Sequence, residues 1–413
     1  MVAVTPFKAV RPAKEYVKDV ASYPYDVIDS REARILTREN AKSFLRIVKS
    51  EVDFRDNDNT VCEKIYEKAR ENLYDFLQRD VLFQDRKECF YIYMQKMDTH
   101  IQYGVVACVD IADYESGRIK KHELTRRDKE LDRTRHIDKV NAQTGPVFLT
   151  YKASEAIDTT VKEIIGGTPE YEFTADDGIA HSVWVVDDDT SIEKIKSGFA
   201  QLDSLYIADG HHRAASAAAV AGMRRKERNY QTGREEYNRM MAVLCPHNQL
   251  QVMDYNRAIR DLGGLGEGQF IEKVREHFIV SDDFTERSPL RRGEFGMYMS
   301  GQWRGLQAVK SNMVKDDPVG MLDVSILQDR LLCPILGIDD PRSDDRIRFV
   351  GGVRGMDELE RLVDSGEYAV AFSLYPTSMD QLLEIADMGK IMPPKSTWFE
   401  PKLRSGMFVH LLE

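Results

Sequence analysis

Apolar residues recur at helical spacing in "NTVCEKIYEKARENLYDFLQRDVL" (Ile65, Ala69, Leu73, then Phe76 or Leu77), behind a Thr60 to Glu63 capping box, and predict a core-packing helix. The aromatic and β-branched runs at 89–95 and 103–114 read instead as neighbouring strands. Residues 119–145 are charged helical text with few apolar positions, stopped by Gly145 and Pro146 before another strand, "VFLTY". "SEAIDTTVKEIIGG" predicts a helix whose two final glycines suit a left-handed cap. Asp177-Gly178 between strand-like flanks marks a hairpin, and Thr190 with Glu193 caps the following helix. The stretch "LYIADGHHRAASAAAVAGM" (205–223) then joins a short apolar strand to strong helix formers across an Asp-Gly turn.

Residues 222–238 are charged and aperiodic, as a solvated helix end and loop would be. Beyond them, strand text ("RMMAVLC", "QVMDY", "MYMSGQWRGLQAV", "IRFV", "YAVAFSLY") alternates with helix text ("QFIEKVREHF", "DVSILQDRLLC", "MDELERLVDSG", "TSMDQLLEIADM"). The alternation predicts a mixed α/β (α+β) fold with a boundary near residue 245.

Composition narrows the class. At 413 residues and 42% hydrophobic content, two or three packed units are expected. With 58 basic against 69 acidic residues the net charge is −11, and no long basic run offsets it, so nucleic acid is not an expected partner. Cys62, Cys89, Cys108, Cys245 and Cys333 form no C-x-x-C pair, which suits reduced thiols. "MVAVTPFKAVRP" lacks the apolar core of a secretory signal, and no segment approaches the ~20 apolar residues of a membrane span. A cytoplasmic protein with no membrane partner is expected.

The richest chemistry lies at the Asp-Gly turn. A helix start leaves backbone N–H groups without internal acceptors and gathers partial positive charge, which attracts anions. Gly210 permits close approach of a ligand, Arg213 offers a planar fork to phosphate oxygens, and His211 and His212 can donate ring N–H groups. Asp209 would repel a phosphate unless Mg²⁺ lay between them or it oriented a histidine or hydroxyl. The same text also fits a capped core helix with ordinary surface hydrogen bonds. Two further candidates are Glu123 beside His122 in "IKKHELT", a carboxylate placed to accept a hydroxyl proton or simply to favour a helix start, and the tail "KIMPPKSTWFEPKLRSGMFVH". In the tail, Lys395, Ser396, Thr397 and Lys402 could reach a phosphate or belong to a surface strand. "FVGGVRG" (349–355) is glycine-rich but lacks the ending of a P-loop.

Seven motifs in order, "PFKAVRP", "PYDVIDSREAR", "IKKHELTRRDKELDR", "GPVFLTY", "DDGIAHSVWVVDD", "LYIADGHHRAASA" and "MPPKSTWFEPKLRSG", resemble the family labelled domain of unknown function 1015. Residues 119–220 more loosely resemble the ParB and sulfiredoxin superfamily, which includes free-serine kinases. The resemblance implies an N-terminal α/β region (1–115), a ParB-like nucleotide-binding core (116–245) carrying an insertion (151–204), and a C-terminal α/β region (246–413) whose tail returns towards the site. It implies Glu123, with His122 and Asp209, as the catalytic group, and Asp209 to Arg213 as the phosphate and metal turn. Lys395, Ser396 and Thr397 would join the nucleotide site, and Asp177 and His181 would line the substrate side or shape a hairpin.

The expected function is an ATP- or ADP-dependent, Mg²⁺-assisted kinase for free L-serine or a similar hydroxylated metabolite, with room for a homodimer. A non-catalytic nucleotide-binding regulator and a phosphohydrolase are the alternatives.

Overall fold

The computed structural model describes residues 2–55, 62–227, 232–309 and 317–413. The expected box at Thr60 lies outside them. The chain divides into two compact units. The first combines Met1–Lys121, Thr125–Leu250 and Pro401–Glu413, and the second combines His122–Leu124 with Gln251–Glu400.

Among the described residues, the first unit is built on a nine-stranded mixed sheet. Its order is Ile119–Lys120, Leu205–Asp209, Val147–Tyr151, Arg239–Pro246, His100–Asp110, Phe90–Met97, Ala180–Val186 and Tyr171–Thr174, with Val4–Thr5 beside 100–110. The 147–151 strand runs parallel to 239–246 and antiparallel to 205–209. Every residue of "VFLTY" is buried, as continuous apolar text in a central strand requires. The helices Arg127–Val140 and His211–Glu227 pack on one another. Ala214, Ala217, Val220 and Ala221 of the second share a core with Leu149, Ile207 and Ala242 of the sheet, and the small alanines let the helix lie close. A separate core holds Ala69, Leu73 and Phe76 of the helix Cys62–Gln78 against Phe44, Val81 and Val409, which accounts for that helix's periodicity.

Among its described residues, the second unit has a six-stranded antiparallel sheet, in the order Phe278–Ser281, Gln302–Ala308, Glu294–Met299, Val370–Leu374, Tyr255–Ile259 and Ile347–Gly351. The helix Gly355–Asp364 covers it through Leu359, Leu362 and Val363, which meet Ala258, Tyr298 and Ala371.

Three local expectations are corrected. Residues 111–115 form a short helix after the strand, burying Ile111 and Tyr114 at i and i+3; a short apolar run does not distinguish the two states. The helix Asp189–Ala200 is capped by Asp188, which accepts from the Ser191 amide, and Thr190 lies inside the first turn. Gly166, after the helix Glu155–Ile165, keeps right-handed angles (φ −66°), because Gly167 N–H bonds back to Ile164 O at 3.0 Å.

Two enclosed histidines give the first unit an acid-sensitive core. His136 Nε2 lies 2.9 Å from Ile47 O, and His181 Nδ1 lies 2.8 Å from the Tyr93 hydroxyl, its ring stacked on Phe173 and Tyr93. Burial, the largest cause in each, pushes both down to about 3. The native rings stay neutral while the unfolded chain takes up protons below about pH 6.5, so stability is complete above that value and falls as pH drops towards 3. Between pH 7 and 5 each histidine should cost on the order of 2 kcal/mol. His136→Gln, which keeps a donor for Ile47 O, should flatten the dependence of thermal unfolding on pH; a slope equal to that of the wild type would refute the assignment.

Candidate functional site

The turn expected at 209–213 lies wholly within the first unit. Leu205 to Ala208 are buried, and a register shift between Ile207 and Asp209 carries the chain to the sheet's end. Gly210 follows with φ +89°, a backbone that other residues rarely adopt. The first helical bond runs from Ala214 N–H to Gly210 O at 3.0 Å, so the amides of His211, His212 and Arg213 fall in the turn that has no intrahelical acceptor. Seventeen residues of helix align their dipoles behind it.

Asp209 is held from two sides. Its Oδ1 accepts the Gly210 amide at 2.7 Å, and its Oδ2 lies 3.0 Å from the Lys402 ammonium. Burial alone would raise this carboxyl, but the Lys402 charge, then Arg213 and the Gly210 amide, outweigh it and hold the group well below the usual carboxylate range. Enclosure is incomplete: 41% of the side chain remains exposed, against 15% of Lys402. Lys402 is fixed through its own carbonyl, which accepts from Gln95 Nε2 at 2.9 Å, and Gln95 accepts from Gln102 at 3.1 Å.

Arg213 is turned into the neighbouring loop. Its Nη1 donates to Pro146 O at 2.9 Å, its Nη2 is 3.6 Å from Asp26, and its guanidinium lies 5.3 Å from the Tyr25 ring centre. A Cβ on Gly145 would come within 3.1 Å of Nη1, so glycine there admits the guanidinium. A cavity of about 30 Å³, room for one or two waters, adjoins it between Tyr25, Arg133, His136, Thr144 and Arg213. His212 Nε2 accepts the Arg126 amide at 2.9 Å, which places the proton of the neutral ring on Nδ1. His211 is buried.

Five other candidates belong to the second unit. His122 is buried and Glu123 half-buried, and His122 O accepts the Met392 amide at 2.8 Å, which joins this segment to the tail motif. In that motif Lys395 is exposed with φ +59°, Ser396 Oγ donates to Pro393 O at 2.6 Å, and Ser396 O accepts from Thr377 Oγ1 at 2.9 Å. Thr397 is half-buried.

Asp177 and His181 lie on the 171–186 hairpin of the first unit, with Gly178 at φ +81° in its turn. Asp177 accepts from Arg404 and from the Tyr23 hydroxyl at 3.0 Å, and His181 is fully enclosed. The tail therefore binds two candidate carboxylates through side chains two residues apart, Asp209 through Lys402 and Asp177 through Arg404. Sequence reasoning did not single out Tyr25, Asp26 or Gln95. Their signal lay in "PYDVIDSREAR" and in a glutamine inside apolar strand text.

Glycines test the turn directly. Gly210→Ala should destabilise by about 1–2 kcal/mol because of its φ, although no heavy atom comes nearer than 3.5 Å to the added Cβ. Gly222→Ala, inside the same helix with open space around it, should stabilise by about 0.5–1 kcal/mol. Chemical denaturation reads both, and effects of the same sign would contradict this geometry.

No curated protein matches the chain. Among solved structures, a free serine kinase in complex with AMP is similar at 13% identity over 71% of this chain and 86% of that one, with a TM-score of 0.36. A conserved hypothetical protein from Pyrococcus furiosus is 14% identical over 74% and 95%, with a TM-score of 0.37. SbnI with a C-terminal truncation, from Staphylococcus aureus, is 10% identical over 72% and 84%, with a TM-score of 0.40. At these values no residue role is carried across. The family model described as "Protein of unknown function (DUF1015)" matches residues 4–325, and the chain belongs to that family.

Proposed function

We propose that this protein is a small-molecule kinase that transfers the terminal phosphoryl group of ATP or ADP to the hydroxyl of free L-serine or a similar metabolite. The observation that carries this reading is the turn at Asp209–Arg213, where a glycine at φ +89° opens a seventeen-residue helix beside an ammonium 3.0 Å from a carboxylate. Phosphoryl transfer asks the protein mainly to place the hydroxyl in line and to neutralise spreading charge. Helix amides, Lys402 and Arg213 supply positive charge to the phosphates. Glu123, the carboxylate of the "IKKHELT" motif, is the base that takes the acceptor's proton in this reading. Lys395, with Ser396 and Thr397 beside it, supplies further donors to the nucleotide.

Mg²⁺ suits the donor chemistry of Asp209, an ionised and partly exposed carboxylate. When bound, the ion would neutralise phosphate charge there. Lys402 already holds Oδ2, so a bound ion would have to share this carboxylate with the ammonium. A ParB-like ancestry of the 116–245 region, with 151–204 as its insertion, belongs to the same proposal.

Nucleotide and Mg²⁺ with L-serine should yield O-phosphoserine by mass analysis. Glu123→Gln should lower turnover about 100-fold or more while the thermal shift with nucleotide persists. Arg213→Ala should weaken nucleotide affinity about tenfold or more. Full serine phosphorylation by Glu123→Gln would remove Glu123 from the role. A shift with nucleotide but no response to any hydroxylated metabolite would favour a regulator, and phosphate release without acceptor a phosphohydrolase.

A further inference from the structure

Arg257 lies in the middle of the strand 255–259, paired to strands on both sides, and is 4% exposed. No carboxylate is within ion-pair distance of its guanidinium among the described residues, and burial pushes it down to about 10. A buried charge without an opposite partner is costly, and an apolar side chain would fill the same space at lower cost. What the guanidinium does is bind carbonyls. Nη1 donates to Tyr255 O and, at 3.3 Å, to Asn256 O, while Nη2 donates to Lys395 O at 2.9 Å. Its guanidinium carbon lies over the Phe349 ring, 4.6 Å from the ring centre.

The residue at the far end of that last bond is itself unusual. Lys395 has φ +59°, a left-handed conformation that non-glycine residues seldom adopt, and it sits in a segment with no regular secondary structure. Side chains hold the carbonyls around it: Ser396 Oγ on Pro393, Thr377 Oγ1 on Ser396, and Arg257 on Lys395. The backbone of the turn is thus fixed at three points while the lysine side chain stays exposed, its Nζ 5.8 Å from the Tyr255 ring centre.

We propose that Arg257 is a positioning residue, which holds the Lys395 carbonyl so that this lysine keeps its left-handed backbone and presents its ammonium to an anionic group of the substrate. The ammonium half rests on the kinase reading above; the backbone half does not.

Hydrogen–deuterium exchange over residues 390–399 reads the backbone half without any ligand. Arg257→Gln should speed exchange there about fivefold or more, and Arg257→Lys, which keeps the charge but loses the fork, should fall between it and the wild type. Arg257→Lys keeps the test decisive if the glutamine variant does not fold, and exchange unchanged from wild type in it overturns the proposal. Calorimetry with Mg·ATP reads the other half. Lys395→Gln should lose about tenfold in affinity, Arg257→Lys severalfold, and the double variant no more than Lys395→Gln alone. Fully additive losses would show that Arg257 does not act through Lys395. Lys395→Gly, which suits the backbone angle, should unfold no earlier than wild type yet bind as weakly as Lys395→Gln; an earlier transition would contradict the strained turn. A wild type that binds no Mg·ATP would refute the kinase reading and the ammonium half with it, and exchange would still decide the backbone half.

Discussion

The ion pair between Asp209 and Lys402 joins residues 193 positions apart and reconciles two opposed demands at one point in the fold. A buried strand ends there in a carboxylate, and a helix begins two residues later with its positive pole facing the same space. A carboxylate next to a helix start is favourable in itself, but it also cancels the field that would draw in a phosphate. Lys402 restores the positive balance. It can do so because the tail threads back into the first unit, held at Gln95, Asp177, Ser22 and Val10. The site therefore depends on the last dozen residues of the chain as much as on the glycine turn itself.

Local features of that turn were legible in sequence because each has a local cause. "LYIA" is buried in the sheet, Gly210 carries the positive φ, and the alanines pack the helix on its strands. The hairpin at Asp177-Gly178 and the mixed α/β layering follow from equally short-range signals. What sequence could not reveal is where chain segments meet. Lys395 and Lys402 occur seven residues apart in one motif, yet the first belongs with Arg257, Thr377 and the His122 segment, and the second with Asp209. Cap choice was also beyond spacing rules, since Asp188 and Thr190 both lie within reach of the same helix start and the carboxylate won.

Several candidate groups turn out to be bound into the architecture. Asp177 is engaged by Arg404 and Tyr23, and His181 is enclosed between aromatic rings and held neutral. Both stabilise the hairpin on which the tail rests, and a substrate role for either would have to coexist with those bonds. Arg213 likewise spends one donor on Pro146 O and stands near Asp26, which fixes its plane beside the turn. Fixed donors of this kind need little reorganisation when charge arrives, which favours an anion site.

The central claim, that phosphate settles on the first turn of the helix that begins at His211, is tested most directly by amide chemical shifts. With isotope-labelled protein, titration with ATP and with pyrophosphate should move the resonances of Gly210 to Ala214 in a saturable way, and adenosine at the same concentration should leave them in place. Shifts confined to other residues, or equal responses to adenosine and pyrophosphate, would contradict the account.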